Sequence, residues 1–241
     1  MGNLTYIEAQ HFLSLGKVRV DLGPLNVLVG PNGAGKTNLL RTIELLGEIA
    51  RTDLVPAVNH FGGFNVAWLA EASPEVFEVL VDDLRYITPG FTQLRLVPLG
   101  GSSPGVSIEI EEKGLRGTTP LASASFGTIR ALALLAMLHD PDPPKLTCVE
   151  EVDHGLHPYA LDRIVERLRD ASTRTQVLAA THSPALVNRL GPDELIVCER
   201  DPETGASRIP AIAPADVRKM YREDELRLGE LWFSGALGGV I

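Results

Sequence analysis

The sequence predicts an α/β fold in which helices flank a mostly parallel β-sheet. From residue 127 to residue 199, predicted helices and strands alternate, which is typical of such a sheet. Near the N-terminus, the Gly-rich stretch GPNGAGKT lies between a predicted strand and a predicted helix. A small antiparallel patch and a short inserted lobe complete the predicted architecture.

The first half of the chain predicts short strands and two helices. Apolar residues recur at helical spacing from Lys36 to Arg51, and Ser73 followed by Pro74 indicates the start of a second helix. Between them, residues 52–72 show no clear period. Two alternating segments flank the Gly-Ser-rich GGSSPG and indicate an antiparallel pair. The predicted strands are 4–9, 18–21, 25–29, 92–99 and 106–113.

The second half is more regular. Helices are predicted at 127–139, 158–171 and 184–190, and strands at 146–150, 176–180 and 194–199. No internal repeat and no sustained heptad pattern is visible. We therefore expect one domain over residues 1–241, with residues 52–120 as a reduced inserted lobe.

Composition indicates a globular, cytoplasmic protein with no membrane span. Hydrophobic residues make up 44% and charged residues 22% of the chain. No apolar run approaches about 18 residues, and the N-terminus lacks a signal-peptide pattern. A net charge of −9 disfavours non-specific binding to nucleic acid. Cys148 and Cys198 lie in apolar runs, so we expect reduced, buried strand residues.

A phosphate-binding loop is the most specific motif. The pattern G-x-x-x-x-G-K-[ST] is matched by Gly30, Pro31, Asn32, Gly33, Ala34, Gly35, Lys36 and Thr37. Glycines let backbone N–H groups point into one concavity, Lys36 reaches terminal phosphates and the Thr37 hydroxyl ligates Mg²⁺. The alternative is a Gly-rich turn that contains Lys-Thr by chance. The context between a strand and a helix favours nucleotide binding.

Two adjacent glutamates follow the strand that ends CVE. A phosphate-loop strand needs a neighbouring strand that presents a carboxylate to Mg²⁺, and Glu150 is placed for that task. If strand geometry continues, Glu151 points the other way, and we assign it to the water that attacks the γ-phosphate. The alternative is a solvated strand end.

Two polar turns add candidate residues. His182 follows the strand QVLAA, at the edge of the sheet where ligands of α/β folds collect, although a local hydrogen-bonding role is the alternative. Ser125, Gly127 and Thr128 precede an apolar helix and can form an anion site. The alternative there is that Ser125 is a helix N-cap and nothing more.

In this order, GPNGAGKT, SFGT, CVEEVDHGLHP and THSP resemble the ATP-binding-cassette (ABC) ATPases of the branch that contains the SMC and RecF proteins, and especially short bacterial AAA ATPases. The resemblance covers residues 1–50 and 120–241, including the tail LGELWFSGALGG. It implies that residues 30–37 are the Walker A loop and that residues 153–157 are the D-loop. The remaining implied roles are signature for Ser125, Gly127 and Thr128, Walker B acid for Glu150, catalytic base for Glu151 and switch histidine for His182.

The resemblance also implies a function. Members bind ATP with Mg²⁺, and two subunits sandwich two ATP molecules head to tail, so that each signature completes the partner's site. It implies ATP hydrolysis with Glu151, His182 and Lys36 as catalytic residues, and service in a DNA-repair or anti-phage defence assembly. A nuclease or other effector would be a separate chain, and direct DNA binding stays open. The alternative is a nucleotide-binding switch with little turnover.

The sequence departs from the family pattern at several positions. Glu150 replaces the usual aspartate, and Phe126 is an unusual neighbour for Ser125. Gln93 lies in a predicted strand and is not assigned to the family's Q-loop. Leu13 stands where relatives often carry an arginine near the nucleotide.

A transition-metal site is a weaker alternative for the acidic segment. His154, His157 and Asp153, together with the two glutamates, offer ligands for zinc or manganese. Residues that lie so close together in the sequence cannot all bind one metal ion from a single turn. We therefore expect His157 to brace the loop before Pro158.

Overall fold

The computed structural model describes residues 3–50, 63–99, 105–223 and 226–237. These residues form two compact units. The first contains the described parts of 1–55, 144–153 and 168–241, and the second those of 56–143 and 154–167.

In chain order the strands are β1 (Tyr6–Phe12), β2 (Leu15–Asp21), β3 (Leu25–Val29), β4 (Phe91–Leu99), β5 (Gly105–Glu112), β6 (Thr118–Pro120), β7 (Leu146–Val149), β8 (Gln176–Thr181), β9 (Leu195–Val197), β10 (Glu199–Arg200) and β11 (Ser207–Arg208). The helices are α1 (Lys36–Ala50), α2 (Gly63–Ala72), α3 (Pro74–Ile87), α4 (Phe126–Leu138), α5 (Leu161–Ser172), α6 (Pro184–Val187), α7 (Pro214–Glu223) and α8 (Leu228–Phe233).

A four-stranded parallel sheet forms the centre of the first unit. Its order is β7-β8-β3-β9, and each of its three strand pairs is parallel. Every residue of β3 and β8 is buried, as their largely apolar sequences predict for strands covered on both faces. Residues of the β1–β2 hairpin and of α1 join these strands in one apolar core. The predicted mostly parallel sheet is confirmed.

Three helices and a small antiparallel sheet make up most of the second unit. The sheet has the order β4-β5-β6, which confirms the predicted antiparallel patch. Helix α2 was not predicted, because its sequence GFNVAWLAEA has no polar face that would give a helical period. The third strand, β6, was also missed, since three residues are too few to show alternation.

The structure confirms some predicted details of the cysteines and helix ends and corrects others. Cys198 is buried as expected, and burial raises the pKa of its thiol to about 12. Cys148 is exposed, because it lies on β7 at one end of the strand order. The helix at Pro74 begins where predicted, but the Ser73 side chain makes no capping hydrogen bond. Helix α6 ends at Val187, three residues earlier than predicted.

No helix within the described ranges has the length and apolar composition needed to cross a membrane. Residues 52–62, part of the predicted lobe, lie outside the description.

The most buried charge of the second unit is the Asp83 carboxylate on α3. Its side chain is 3% exposed and accepts two hydrogen bonds from Arg167 of α5, at 2.6 and 3.1 Å. The ring of His139, which follows the last residue of α4, lies 2.7 Å from the same carboxylate. Burial by itself raises the pKa of Asp83, but the hydrogen bonds to His139 and Arg167 outweigh it and hold that pKa below its ordinary value. Asp83 therefore joins three helices of this unit.

Replacing Asp83 by Asn is expected to lower the free energy of unfolding by about 3 kcal/mol, because it removes the buried partner charge of the partly buried Arg167. Urea denaturation followed by circular dichroism measures the change. Asp82→Asn is the matched control, since Asp82 is exposed and pairs with exposed Arg85. It is expected to change stability by about 0.5 kcal/mol or less. Equal effects of the two variants would contradict the assignment.

The contribution of Asp83 is expected to depend on pH in a defined direction. Its pKa is lower in the folded protein, so the contribution is complete above the pKa of the unfolded carboxyl and disappears as pH falls through the folded value. The stability difference between the wild-type protein and Asp83→Asn should therefore shrink below about pH 4. A difference that grows on acidification would show that the sign is wrong.

Candidate functional site

A cavity lies at the carboxyl ends of β3, β7 and β8. Because these strands run parallel and are neighbours, the loops that follow them open at the same edge of the sheet. The cavity measures about 140 Å³. It is smaller than pockets that enclose whole ligands, which span roughly 300–1,000 Å³, and this size suits phosphate groups. Its lining residues are Asn32, Gly33, Gly35, Lys36, Thr37, Asn38, Glu150, Glu151, Ala180, Thr181 and His182.

The loop after β3 has the backbone that its glycines predict. Gly33 and Gly35 have φ values of 81° and 98°, a conformation that residues with a side chain rarely adopt. Helix α1 begins at Lys36 directly after the second of them, so its first N–H groups border the cavity. The local structure is therefore that of a phosphate-binding loop.

Lys36 is held within this loop. Its ammonium donates hydrogen bonds to the carbonyl oxygens of Gly30, at 2.7 Å, and Pro31, at 3.0 Å. Burial lowers the pKa of Lys36, and the negative charges of Glu151 and Glu150 act in the opposite direction. The Lys36 ammonium therefore lies close enough to Glu150 and Glu151 to feel the charges of both carboxylates.

Two serines, which were not among the residues predicted for the site, support the phosphate loop. Ser14 and Ser207 lie with their hydroxyl oxygens 2.6 Å apart, and Asn38 of α1 donates a hydrogen bond to Ser14 at 2.8 Å. A Cβ at Gly35 would lie 2.1 Å from the Ser207 hydroxyl oxygen. The loop therefore passes directly against buried Ser207. No local pattern marks these serines, because they are 193 residues apart.

An open cleft of about 370 Å³ lies beside this support and is lined by His11, Leu13, Ser14, Leu15, Gly16, Thr204, Gly205 and Ala206. Leu13 is 63% exposed and has a φ of 52°. The cleft thus presents an apolar side chain where the family resemblance leads us to expect an arginine.

The two glutamates line the same cavity, and the strand geometry on which their predicted opposite directions depended does not continue past Val149. Strand β7 ends at Val149, one residue earlier than predicted, so strand alternation does not extend to Glu151. Glu151 instead has a φ of 48°, in the left-handed region. The chain turns at this residue, and both carboxylates line the cavity with Lys36.

The segment after the glutamates is tied to the end of β8. The Val152 amide donates to the Ala180 carbonyl at 3.1 Å, and the Thr181 hydroxyl donates to the Asp153 carboxylate. The Ser183 amide in turn donates to the Thr181 hydroxyl at 3.0 Å. His182, between these two residues, is exposed and lines the cavity. The predicted convergence of the phosphate loop, the glutamates and His182 is therefore present within the first unit.

The residues assigned to the signature belong to the second unit. Ser125 is the N-cap of α4, and its hydroxyl accepts a hydrogen bond from the Thr128 amide at 3.1 Å. A Cβ at Gly127 would lie 2.5 Å from the Gly155 carbonyl oxygen. Phe126 is 60% exposed, and its ring meets the His154 ring edge to face. Ser125 is thus a helix N-cap, and whether it also belongs to an anion site stays a prediction.

His154 and His157 of the acidic segment are not among the residues that line the cavity. The His157 ring accepts a hydrogen bond from the Tyr159 amide at 3.4 Å, at the start of the short turn Pro158–Ala160, in agreement with the predicted bracing role. His154 lies against Phe126. Across the described part of the chain, no group of three or more His, Cys, Asp or Glu residues is arranged to hold a metal ion.

Comparison with known proteins identifies the family. The family described as "AAA domain, putative AbiEii toxin, Type IV TA system" matches residues 25–71 and 69–188, more than half of the chain. The Nod factor export ATP-binding protein I of Ralstonia nicotianae is 29% identical over 186 residues, 71% of this chain and 54% of that protein. The DNA replication and repair protein RecF of Marinobacter nauticus is 33% identical over 104 residues, 39% of this chain and 28% of that protein.

The OLD nuclease of Thermus scotoductus is 47% identical over 47 residues, 19% of this chain and 9% of that protein. The aligned parts thus cover about half or less of each of these relatives.

Solved structures agree on the fold. A crystal structure of an SMC head bound to the C-terminal winged-helix domain of ScpA has a TM-score of 0.63 at 14% identity, and covers 86% of this chain and 97% of that chain. The SMC head domain from Thermotoga maritima has a TM-score of 0.54 at 18% identity, with 86% and 98% covered. The chain therefore belongs to this AAA domain family of P-loop ATPases, and it has the fold of the SMC head domains.

Proposed function

We propose that this protein binds Mg·ATP and hydrolyses it to ADP and phosphate. The observation that carries the proposal is that one cavity collects a phosphate loop, a lysine, two carboxylates and a histidine. A positive loop would hold the polyphosphate, while the carboxylates supply metal-binding and proton-accepting groups.

The Thr37 hydroxyl and the Glu150 carboxylate would hold Mg²⁺. Both offer the hard oxygen ligands that this ion prefers, and both line the cavity next to Lys36. Bound there, Mg²⁺ supplies charge neutralisation at the phosphate oxygens. The Lys36 ammonium now donates hydrogen bonds to two carbonyl oxygens of the loop. On nucleotide binding it would donate to phosphate oxygens instead.

Glu151 would accept the proton of the attacking water. Its turn conformation brings the carboxylate to the same cavity as Glu150 without placing it on the sheet, so the two glutamates can divide the tasks of base and metal ligand. His182, which reaches the cavity from the end of the neighbouring strand, would contact the γ-phosphate. As in phosphoryl transfer generally, the water would attack in line with the bond that breaks.

We also propose the predicted ATP-driven dimer, because the cavity and the signature residues belong to different units. All residues that line the cavity belong to the first unit, while Ser125 and Gly127 belong to the second. We propose that the signature of one chain completes the site of a second copy head to tail. We further propose that both units make one ABC-type ATPase domain, with residues 52–120 as its reduced inserted lobe.

A nucleotide-binding switch with little turnover is the second candidate. The exposed Phe126 favours it, because a bulky ring beside Ser125 limits how closely a signature backbone can approach a partner's phosphate. Tight Mg·ATP binding without phosphate release would support this candidate. Steady release would exclude it.

The biological setting is proposed from the relatives alone. Similarity to RecF and to the OLD nuclease supports service in a DNA-repair or defence assembly, with any nuclease on a separate chain. With a net charge of −9, direct DNA binding needs a local basic surface. A salt-dependent mobility shift of duplex DNA would support such binding, and no shift at low salt would contradict it.

Glu151→Gln is expected to lower phosphate release at least about a hundredfold while Mg·ATP binding persists, because the amide cannot accept the proton. Phosphate release and binding of a fluorescent ATP analogue are measured on the same preparation. Glu203→Gln, at an exposed position outside the cavity, is the matched control and should keep the wild-type rate. An unchanged rate in Glu151→Gln would remove this residue from the chemistry.

Mixing Lys36→Ala chains with Ser125→Ala chains is expected to restore ATP hydrolysis that neither variant shows alone. A mixed head-to-tail pair has one site with both residues intact, so about half of its sites keep the wild-type composition. Phosphate release is followed as one variant is titrated with the other. If the mixture stays as inactive as its components, the trans-completed site is wrong.

A further inference from the structure

The position of His182 depends on α6 as well as on the sheet. On one side, Thr181 is the last residue of β8, and its hydroxyl accepts a hydrogen bond from the Ser183 amide at 3.0 Å. On the other side, α6 begins at Pro184, with Ser183 as its N-cap. His182 is thus the link between a rigid strand and a helix of four residues. A shift of α6 changes where this side chain lies.

Helix α8, near the C-terminus, packs directly on α6. The Gly229 amide donates a hydrogen bond to the Asn188 side-chain oxygen at 2.8 Å, at the end of α6. A Cβ at Gly229 would lie 2.2 Å from the Pro184 carbonyl oxygen, at the start of α6. Gly229 therefore touches both ends of α6, and the contact leaves no space for a side chain.

Apolar burial strengthens this contact from both sides. Leu228 and Leu231 of α8 are 1% and 2% exposed, and Leu186 and Val187 of α6 are fully buried. Six residues are too few for a helix that is stable by itself, so α8 depends on its packing. Its first turn is closed by the Arg227 amide, which donates to the Glu230 carboxylate at 2.9 Å. The tail that includes LGELWF is thus folded into a compact element at the His182 side of the sheet.

We propose that Gly229 and Asn188 are positioning residues for His182. Helix α8 holds α6 in place through them, and α6 fixes the direction of the loop that carries the histidine. Neither residue lines the cavity, so any effect on hydrolysis is indirect. The kinetic part of this inference rests on the proposed role of His182 in ATP hydrolysis.

The test variant is Gly229→Ala, because even one methyl group must displace Pro184 or Asn188. We expect kcat for ATP hydrolysis to fall about tenfold, as small displacements of reacting groups commonly cause, with the KM for Mg·ATP unchanged. Gly191→Ala is the matched control, since its Cβ would meet its nearest atom at an ordinary 3.6 Å. This control should keep the wild-type kinetics.

Asn188 separates positioning from general destabilisation. Asn188→Asp keeps an oxygen that can accept from the Gly229 amide, whereas Asn188→Ala removes it. We expect Asn188→Ala to lower kcat and Asn188→Asp to restore most of it at equal melting temperature. In a His182→Ala background, Gly229→Ala should cause no further loss. A further loss, or a rise in KM in place of a fall in kcat, would overturn the proposal.

A readout that does not require hydrolysis distinguishes this inference from the proposed function. The chain has 6 histidines, so the ring signals can be followed by NMR and that of His182 identified by its loss in His182→Ala. Gly229→Ala should shift the His182 signal without ATP, and Gly191→Ala should not. An unmoved signal in Gly229→Ala overturns the positioning role. A shifted signal in a protein that releases no phosphate keeps it and rejects the proposed function.

Discussion

The parallel pairing of β3 with β8 is the constraint on which the site depends. It sets Val29 opposite Thr181, so the phosphate loop and His182 leave the sheet at the same level. The pairing of β7 with β8 adds the glutamates, because Val149 lies opposite Ala179. A shift of one residue in either pairing would turn the buried side chains of β8 to the other face. The apolar burial of the central strands therefore also fixes the chemistry at their ends.

Much of this arrangement is visible in the sequence because its signals are local. The strand before GPNGAGKT, the helix after it, and the strands that end in CVE and in QVLAA each show a pattern within a few residues. Parallel connectivity then requires their carboxyl ends to share an edge. Thus the phosphate loop, Glu150 and His182 could be assigned to one site without any coordinates.

What the sequence could not show depends on contacts between distant residues or on single backbone angles. Glu151 has a positive φ, and no residue type at that position predicts this backbone angle. Ser207 supports Gly35, and Arg167 meets Asp83, across separations that periodicity does not report. Helix α2 lacks an amphipathic pattern, so only the fold reveals it. Local patterns thus find the reacting groups, while tertiary contacts decide how they are held.

The first unit is built from segments that are far apart in the chain, and this affects its folding during synthesis. Asn26 in β3 donates a hydrogen bond to the Val177 carbonyl of β8, a partner 151 residues later. At ribosomal speeds of roughly 5–20 residues per second, β3 waits on the order of 10 s for its neighbours to be synthesised. During that interval, a strand in which Asn26 is the one polar residue has both edges unpaired, which is a hazard for aggregation. A chaperone or transient packing that covers this strand until the second half emerges would reduce that hazard.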